Sequence, residues 1–437
     1  MKLELATFEV RDVALGGDTV LKDGVLTIDE GALKELILQD EHFADVAIEI
    51  VRPGDDVRVI HIIDAVEPRL RTDEPGTDFA GMLGMPAPLG EGRTNRLEGM
   101  AVLETSEPIP GEPIYWREAI VDMAEPGSVF SPFSGLVNVV LSFTPRPELM
   151  ASTATPDNLF EGTPGAFEYN RAMRVAGLTA AVFLAKATDG LEPDSVEVFG
   201  LESHDRTGQP GVVYLYQLAI PYIYGEIAPG AGAIGGSAHL PTVIHPNELL
   251  DGAMVCGWNA IACMRELTYL VQNHAVVLDL YRRHGSDLDF RGVVLFTNGD
   301  TTETKERLAN HAANLAETLG AEAAVINYAG GGHPCVDAMM VCQMLETRGI
   351  PTTMLMMEMA PNPADSGFVH YLPEADAIVS TGNYEEKADF AAVGRVIGGD
   401  TILVSGEAAS GPLTLPLSHV LGSTNQFGDT TIRGMEV

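Results

Sequence analysis

Residues 292–357 read GVVLFTNGDTTETKERLANHAANLAETLGAEAAVINYAGGGHPCVDAMMVCQMLETRGIPTTMLMM. Val293–Phe296 is a short β-branched and aromatic run, the profile of a buried strand. Asp300 and Glu303 then stand at capping-box spacing, with Asp in place of Ser or Thr. Leu308, Ala312, Leu315 and Leu319 follow at steps of four, three and four, which puts them on one face of a helix. Ala323–Ile326 is the next strand. A second helix is predicted over Pro334–Arg348, with Val336, Met340 and Met344 on one face and Gly349 as its stop. Thr352–Met357 makes a third strand, and Ala377–Ser380 is a candidate fourth. Strands and helices alternating through short connections imply a parallel sheet with right-handed crossovers.

Upstream the pattern differs. Val46, Ile48 and Ile50 alternate with other residues, Pro53-Gly54-Asp55-Asp56 supplies a turn, and Val57 and Val59 resume the alternation. Met100–Leu103 and Val137–Phe143 are further short apolar runs, and the Pro- and Gly-rich stretch Pro75–Gly92 reads as a loop. A break falls at Thr144-Pro145-Arg146-Pro147. The expected fold class is therefore α/β: a mostly-β N-terminal domain over residues 1–150, then a doubly wound, largely parallel α/β region over residues 151–437.

Composition narrows the function classes. The chain has 437 residues, 62 of them acidic and 26 basic, for a net charge of -36. Phosphate backbones and anionic bilayers both need Lys and Arg, so nucleic-acid and membrane-surface partners are disfavoured. No run reaches the roughly 18 apolar residues of a membrane span; the stretch around Val175–Ala185 reads instead as a buried helix. The start MKLELATFEV goes directly into alternating strand pattern with no signal-peptide core. Four cysteines in a chain of this length make no disulfide framework. A cytoplasmic protein with reduced thiols is expected.

Individual motifs weigh differently. Gly230, Gly232 and Gly235 fit G-x-G-x-x-G, but Pro241 opposes the helix that a dinucleotide site needs, and a flexible or ligand-covering loop is expected instead. Gly330-Gly331-Gly332-His333-Pro334 lies between a strand and a helix, with Pro334 suited to the first turn. Free backbone N–H groups at such a junction favour an anion such as a carboxylate, and Cys335 would sit where a helix start lowers a thiol pKa. A plain βα turn with a small buried cysteine is the competing reading. Cys256 and Cys263, like Cys335 and Cys342, are seven residues apart, which matches no zinc pattern. H-E-x-x-H and G-x-S-x-G are both missing, so no metal is predicted and a serine hydrolase has no support.

Several collinear blocks together resemble the proprotein subunit of component B of glycine, sarcosine and betaine reductases. They are Arg52-Pro53-Gly54, GRT at Gly92–Thr94, VDMAEPG and SPFSGLVNVV between Val121 and Val140, PTVIHPNELLDGAMV from Pro241, and DLYRRHG at Asp279–Gly285. GVVLFTN, the loop before Pro334 and GSTNQFGD near Gly422 complete the series, which spans almost the whole chain. The resemblance implies a complex in which component B receives an amine substrate. A selenol or thiol on a carrier protein, protein A, attacks the α-carbon, and the amine leaves. It also implies a second component B subunit of selenocysteine or cysteine type. In glycine and sarcosine reductases this subunit cuts itself at a cysteine and leaves a pyruvoyl group, an electron-withdrawing ketone that condenses with the substrate amine.

Asn259 stands at the aligned cleavage position, and Asn has no nucleophile for the acyl shift that makes pyruvoyl. Cys256 lies three residues earlier and is the nearest candidate, while Cys263 matches a family cysteine that is not cleaved. Three readings remain open. One is an enzyme subunit whose substrate needs no imine, such as betaine. Another is an uncleaved paralogue serving as a binding or scaffold subunit. The last is an independent small-molecule-binding protein. The candidate site residues are Cys256 and Cys263 for chemistry, and Gly330, Gly331, Gly332, His333 and Cys335 for substrate.

Overall fold

The computed structural model describes residues 1–113, 117–153, 155, 162–202, 208–228, 239–257, 261–330, 332–360, 368, 370–430 and 432–434. Its architecture is α/β. A seven-stranded sheet runs in the order Thr242–Ile244, Asp289–Phe296, Gly211–Gln217, Ala323–Asn327, Thr352–Glu358, Ile378–Asn383, Arg433–Gly434. The five inner strands are parallel and the two edge strands antiparallel. Period-two alternation sends Val213, Leu215, Val294, Phe296 and Ile326 to one face. The helices Thr302–Thr318 and His333–Glu346 cover that face. Val212, Tyr214, Tyr216, Val293 and Leu295 point the other way, into a core shared by helix Ala275–Arg283 and by Leu3 and Leu5 of the first strand.

The strand sequence around Gly292 holds to within a few residues, but both helices sit in a different phase from the expected one. Thr302–Thr318 is capped by Thr301, whose side chain accepts from the Thr304 N–H at 3.2 Å, one residue beyond the Asp300 and Glu303 pair. Its buried face is Leu308, Ala309, Ala312, Ala313 and Ala316, with Leu315 and Leu319 at the margin. In His333–Glu346 the buried residues include Cys335, Ala338, Met339, Val341, Cys342 and Leu345, while Val336, Met340 and Met344 are only partly covered. Alanine and cysteine let a helix approach the sheet closely. The phase therefore follows small residues rather than the largest apolar ones.

The N-terminal chain forms twisted β layers against the second face. One sheet runs Ser195–Phe199, Leu3–Glu9, Gly92–Glu98, Arg69–Arg71; another runs Phe43–Val51, Val137–Pro145, Met100–Ser106, Ile62–Val66. The long helix Pro164–Ala185, capped by Thr163, lies across the Ile62–Val66 and Met100–Ser106 strands and is buried along most of its length. It is apolar on several sides because it fills a core on two of them. Val57–Val59 sits between Val121–Asp122 and Arg395–Ile397, which ties the C-terminal part of the chain to these layers. Among the described residues no helix is long and apolar enough to cross a membrane.

Chain order reverses between two neighbouring strands of the large sheet. The strand Gly211–Gln217 is followed, towards one edge of the sheet, by Thr242–Ile244 and Asp289–Phe296, whereas Ala323–Asn327 is followed towards the other edge by Thr352–Glu358. Connections that diverge from neighbouring parallel strands leave a cleft at their carboxyl ends, where open α/β sheets take their ligands.

Candidate active site

Gln217 ends one strand at that reversal and Asn327 ends the other. The Gln217 side chain accepts from Ala329 N–H at 2.8 Å and donates to the Pro334 carbonyl at 2.9 Å and to Asn298 Oδ1 at 2.8 Å. It thereby pins both sides of the Gly330–Pro334 loop. Asn327 Oδ1 accepts from the Gln217 N–H at 3.0 Å. The remaining amide nitrogens, Asn298 Nδ2 and Asn327 Nδ2, are buried and have no acceptor among the described residues, a costly arrangement that calls for a hydrogen-bonding partner.

The loop itself is built for close approach. Gly330 has φ +140° and Gly332 φ +77°, conformations that L side chains rarely adopt. A Cβ on Gly330 would come within 2.5 Å of Met264 Cε, so the loop lies directly on the Ala262–Met264 turn. Thus the structure brings the glycine loop and the segment ending at Cys263 together. Helix His333–Glu346 starts without a side-chain cap. Lys305 reaches the His333 carbonyl at 3.4 Å and pairs with Asp337, whose Oδ1 also accepts from Gly299 N–H at 3.0 Å. His333 is exposed, whereas Cys335 is buried with its thiol directed at the His370 carbonyl, 3.4 Å away. Gly331, Asn259 and the Gly230, Gly232 and Gly235 motif lie outside the described residues.

The two cysteines of the 256–263 segment do not share an environment. Cys263 belongs to the core beneath the two sheet-covering helices, with Sγ 3.9 Å from Met357 Sδ, and burial pushes its thiol up to about 12. Cys256 belongs to the opposite core. Its N–H donates to Thr268 Oγ1 at 3.0 Å, and that hydroxyl donates to Asp64 Oδ2 at 2.5 Å. Its Sγ lies 3.7 Å from the Ile63 carbonyl. Burial, and next the carboxylate of Asp64, push the thiol far above its ordinary range. All four cysteines are buried and none is in a disulfide among the described residues.

Around Cys256 the sequence conceals a cluster of charges. Arg174, fully buried on the long helix, donates from Nε to the Cys256 carbonyl at 3.2 Å and from NH2 to the Gly257 carbonyl at 3.2 Å. Its NH1 meets Glu104 Oε2 at 3.0 Å. Arg265 donates to the Ile62 and Ile63 carbonyls at 2.6 and 3.0 Å. Glu266 accepts from Ala219 N–H at 3.0 Å, and burial pushes its carboxyl up to about 7. Gly257 rests so closely on the Ile220 carbonyl that a Cβ there would overlap it. Charges inside the apolar runs MAVLETS and AMRVAGLTAAVFLA were the available sequence signal for Glu104 and Arg174, since such residues are buried only when paired.

The block GSTNQFGD packs on the Ala262–Met264 turn. Gly422 N–H donates to the Ala262 carbonyl at 3.0 Å, and Ser423, Thr424, Asn425, Gln426 and Phe427 are all buried. Neither polar atom of the Gln426 side chain has a partner among the described residues. A family model for glycine/sarcosine/betaine reductase component B subunits matches residues 1–428. The chain belongs to this family. It is 30% identical to the glycine reductase complex component B subunits alpha and beta of Acetoanaerobium sticklandii, over 98% of both chains. It is 32% identical to the betaine reductase complex component B subunit alpha of Peptoclostridium acidaminophilum, over 91% of this chain and 88% of that one. The sarcosine reductase counterpart from the same organism is 30% identical over 91% and 89%. No solved structure matches the chain. In this component B chain no group of three His, Cys, Asp or Glu side chains is placed to hold a metal ion among the described residues.

Proposed function

We propose that this component B chain holds a small amine carboxylate, an amino acid or betaine, beside the Gly330–Pro334 loop, at the carboxyl ends of the strands that finish at Gln217 and Asn327. A selenol or thiol of a protein A-like carrier then cleaves its C–N bond. The observation that carries the reading is the pair of buried amide donors, Asn298 Nδ2 and Asn327 Nδ2, beside the Gly330–Pro334 loop and an uncapped helix start. Amide donors and a helix N-terminus suit a carboxylate. In the reaction the carrier's selenolate or thiolate forms a bond to the α-carbon as the C–N bond breaks. The amine departs with the bonding pair and takes up a proton, and the carboxymethyl group stays on the carrier. The chain's own part is to fix the carboxylate and present the α-carbon, which is positioning rather than covalent catalysis. A second component B subunit and the carrier are the partners this requires.

We further propose that the chain works without a pyruvoyl group. The residues near the family cleavage position do not fit its formation. Asn259 has no nucleophile, and the Cys256 thiol is buried and held protonated by its surroundings. A thiol that stays protonated is a poor nucleophile. A substrate without an N–H, such as betaine, has least need of the ketone, and this favours a betaine-type activity over the imine-forming ones. Intact mass of the purified protein, with and without a carbonyl-reactive hydrazine, tests this. One chain near 46.6 kDa that ignores the probe is expected. Two fragments, the C-terminal one blocked and probe-reactive, would sink the proposal and identify the cleaved residue by mass.

The binding site has its own test. Gly331→Asp places a negative charge in the proposed anion cradle and is expected to weaken betaine or glycine binding at least about tenfold, or roughly 1.4 kcal/mol. Isothermal titration with each ligand reads it. Unchanged affinity would remove the loop from the site, and no binding of either ligand by the parent protein would favour a scaffold subunit.

A further inference from the structure

Glu104 and Asp64 face each other across two antiparallel strands, in direct register. Like charges in that arrangement repel, and both side chains are fully buried. Their surroundings differ. Asp64 accepts from Ala65 N–H at 2.8 Å, Thr268 N–H at 2.9 Å and Thr268 Oγ1 at 2.5 Å. Among the described residues Glu104 has one ion pair, to Arg174, and its Oε1 has no partner. Hydrogen bonds stabilise the ionised form, so of the two carboxyls Asp64 keeps the charge and Glu104 keeps the proton. A Cβ on Gly177, one turn beyond Arg174, would overlap the Glu104 carboxylate, so the glycine keeps the space in which that carboxyl sits.

Arg174 is the link from this pair to the candidate site. Its guanidinium divides its donors between Glu104 and two consecutive carbonyls, Cys256 and Gly257. We propose that Glu104 is a positioning residue whose protonation state sets the grip of Arg174 on the Cys256–Gly257 peptide. With Glu104 neutral, the guanidinium is free to serve both carbonyls. Once Glu104 ionises, its second oxygen competes for a fork of two parallel N–H donors, the preferred geometry of an Arg–carboxylate pair, and the carbonyls lose their donors. The groups facing Glu104 and Arg174 include Asp64 on the neighbouring strand, Cys256, Arg265, Tyr222 and Glu112. The strand on the other side sets Leu141 opposite Glu104. Burial is the largest cause raising the Glu104 carboxyl, to about 8, ahead of the opposing pull of Arg174 and the push of Asp64.

The inference deepens the reading above at the peptide bordering the family cleavage position, and it can be tested without substrate or partner. Cys256-Gly257 is the one Cys–Gly pair in the sequence. Protein labelled with carbonyl-13C cysteine and 15N glycine therefore gives a single cross-peak from this peptide bond. The expected result is a carbonyl shift that titrates between about pH 6 and about pH 9 in the native chain and is flat in Glu104→Gln. A cross-peak that does not move in the native chain, or that titrates with the same midpoint in Glu104→Gln, overturns the proposal. Difference infrared spectroscopy supplies a second readout: the carbonyl band of a protonated carboxylic acid at neutral pH, lost in Glu104→Gln. Its persistence in that variant would place the stored proton elsewhere.

Discussion

Arg58→Met is expected to lower the unfolding free energy by about 3–5 kcal/mol, because it strands a buried carboxylate. Arg58 is completely buried on Val57–Val59. Nε and NH2 meet the two oxygens of Asp122 at 2.6 and 2.9 Å. NH1 donates to the Ala409 and Gly411 carbonyls at 2.5 and 3.0 Å, and NH2 to the Ala391 carbonyl at 2.7 Å. One guanidinium thus joins the N-terminal layers to residues more than 330 positions downstream. Methionine matches the stem in length but supplies no donor, leaving Asp122 and three carbonyls unanswered. The midpoint and slope of guanidinium unfolding measure the loss. Adding Asp122→Leu is expected to restore part of it, since the double variant no longer buries an unpaired charge. A single variant that costs less than about 1 kcal/mol would mean that the two parts of the chain are held together by other contacts.

The same residue shows what sequence could and could not reveal. Strands such as Val293–Phe296 and Ala323–Ile326 were legible because buried parallel strands are short, β-branched and flanked by breakers, all local properties. The glycine loop was legible because a run of glycines before Pro334 has one common use, a strand-to-helix junction. Helix phase was not, because Thr302–Thr318 and His333–Glu346 are closely packed through alanine and cysteine, which carry little weight in an apolar pattern. Nor were the polar residues that complete the site. Gln217 reaches Asn298 and Pro334 across 81 and 117 positions, and Arg174 reaches Cys256 across 82. Such pairings depend on strand order, which local pattern does not encode. The whole-chain family resemblance could be recognised from blocks such as GSTNQFGD, and the structure supplies a physical reason for that block. It is the segment that packs on the Cys263 turn, with six consecutive buried residues, Gly422–Phe427.

Glu104→Gln is expected to make the protein more stable than its parent at pH 8 and nearly equal to it at pH 5. The sign follows from proton linkage. A carboxyl raised from 4.5 to about 8 on folding binds its proton more tightly in the native state. Its contribution is fully present below the unfolded value and is lost as pH rises through the folded one. Between those limits the native chain loses stability, on the order of 5 kcal/mol from this group. Glutamine imitates the neutral acid, still accepts from Arg174, and does not titrate. Other groups add to the parent curve. Glu118, Glu266 and Asp429 are each raised to about 7 by burial and act in the same direction. Burial lowers His61, His245 and His419 to about 4 and gives the opposite slope, with stability lost as pH falls. These contributions are common to parent and variant, so the difference between their two pH curves isolates Glu104. Unfolding midpoints across the pH 5–9 range provide that difference. A difference that stays constant would mean Glu104 is ionised throughout, held by Arg174 alone.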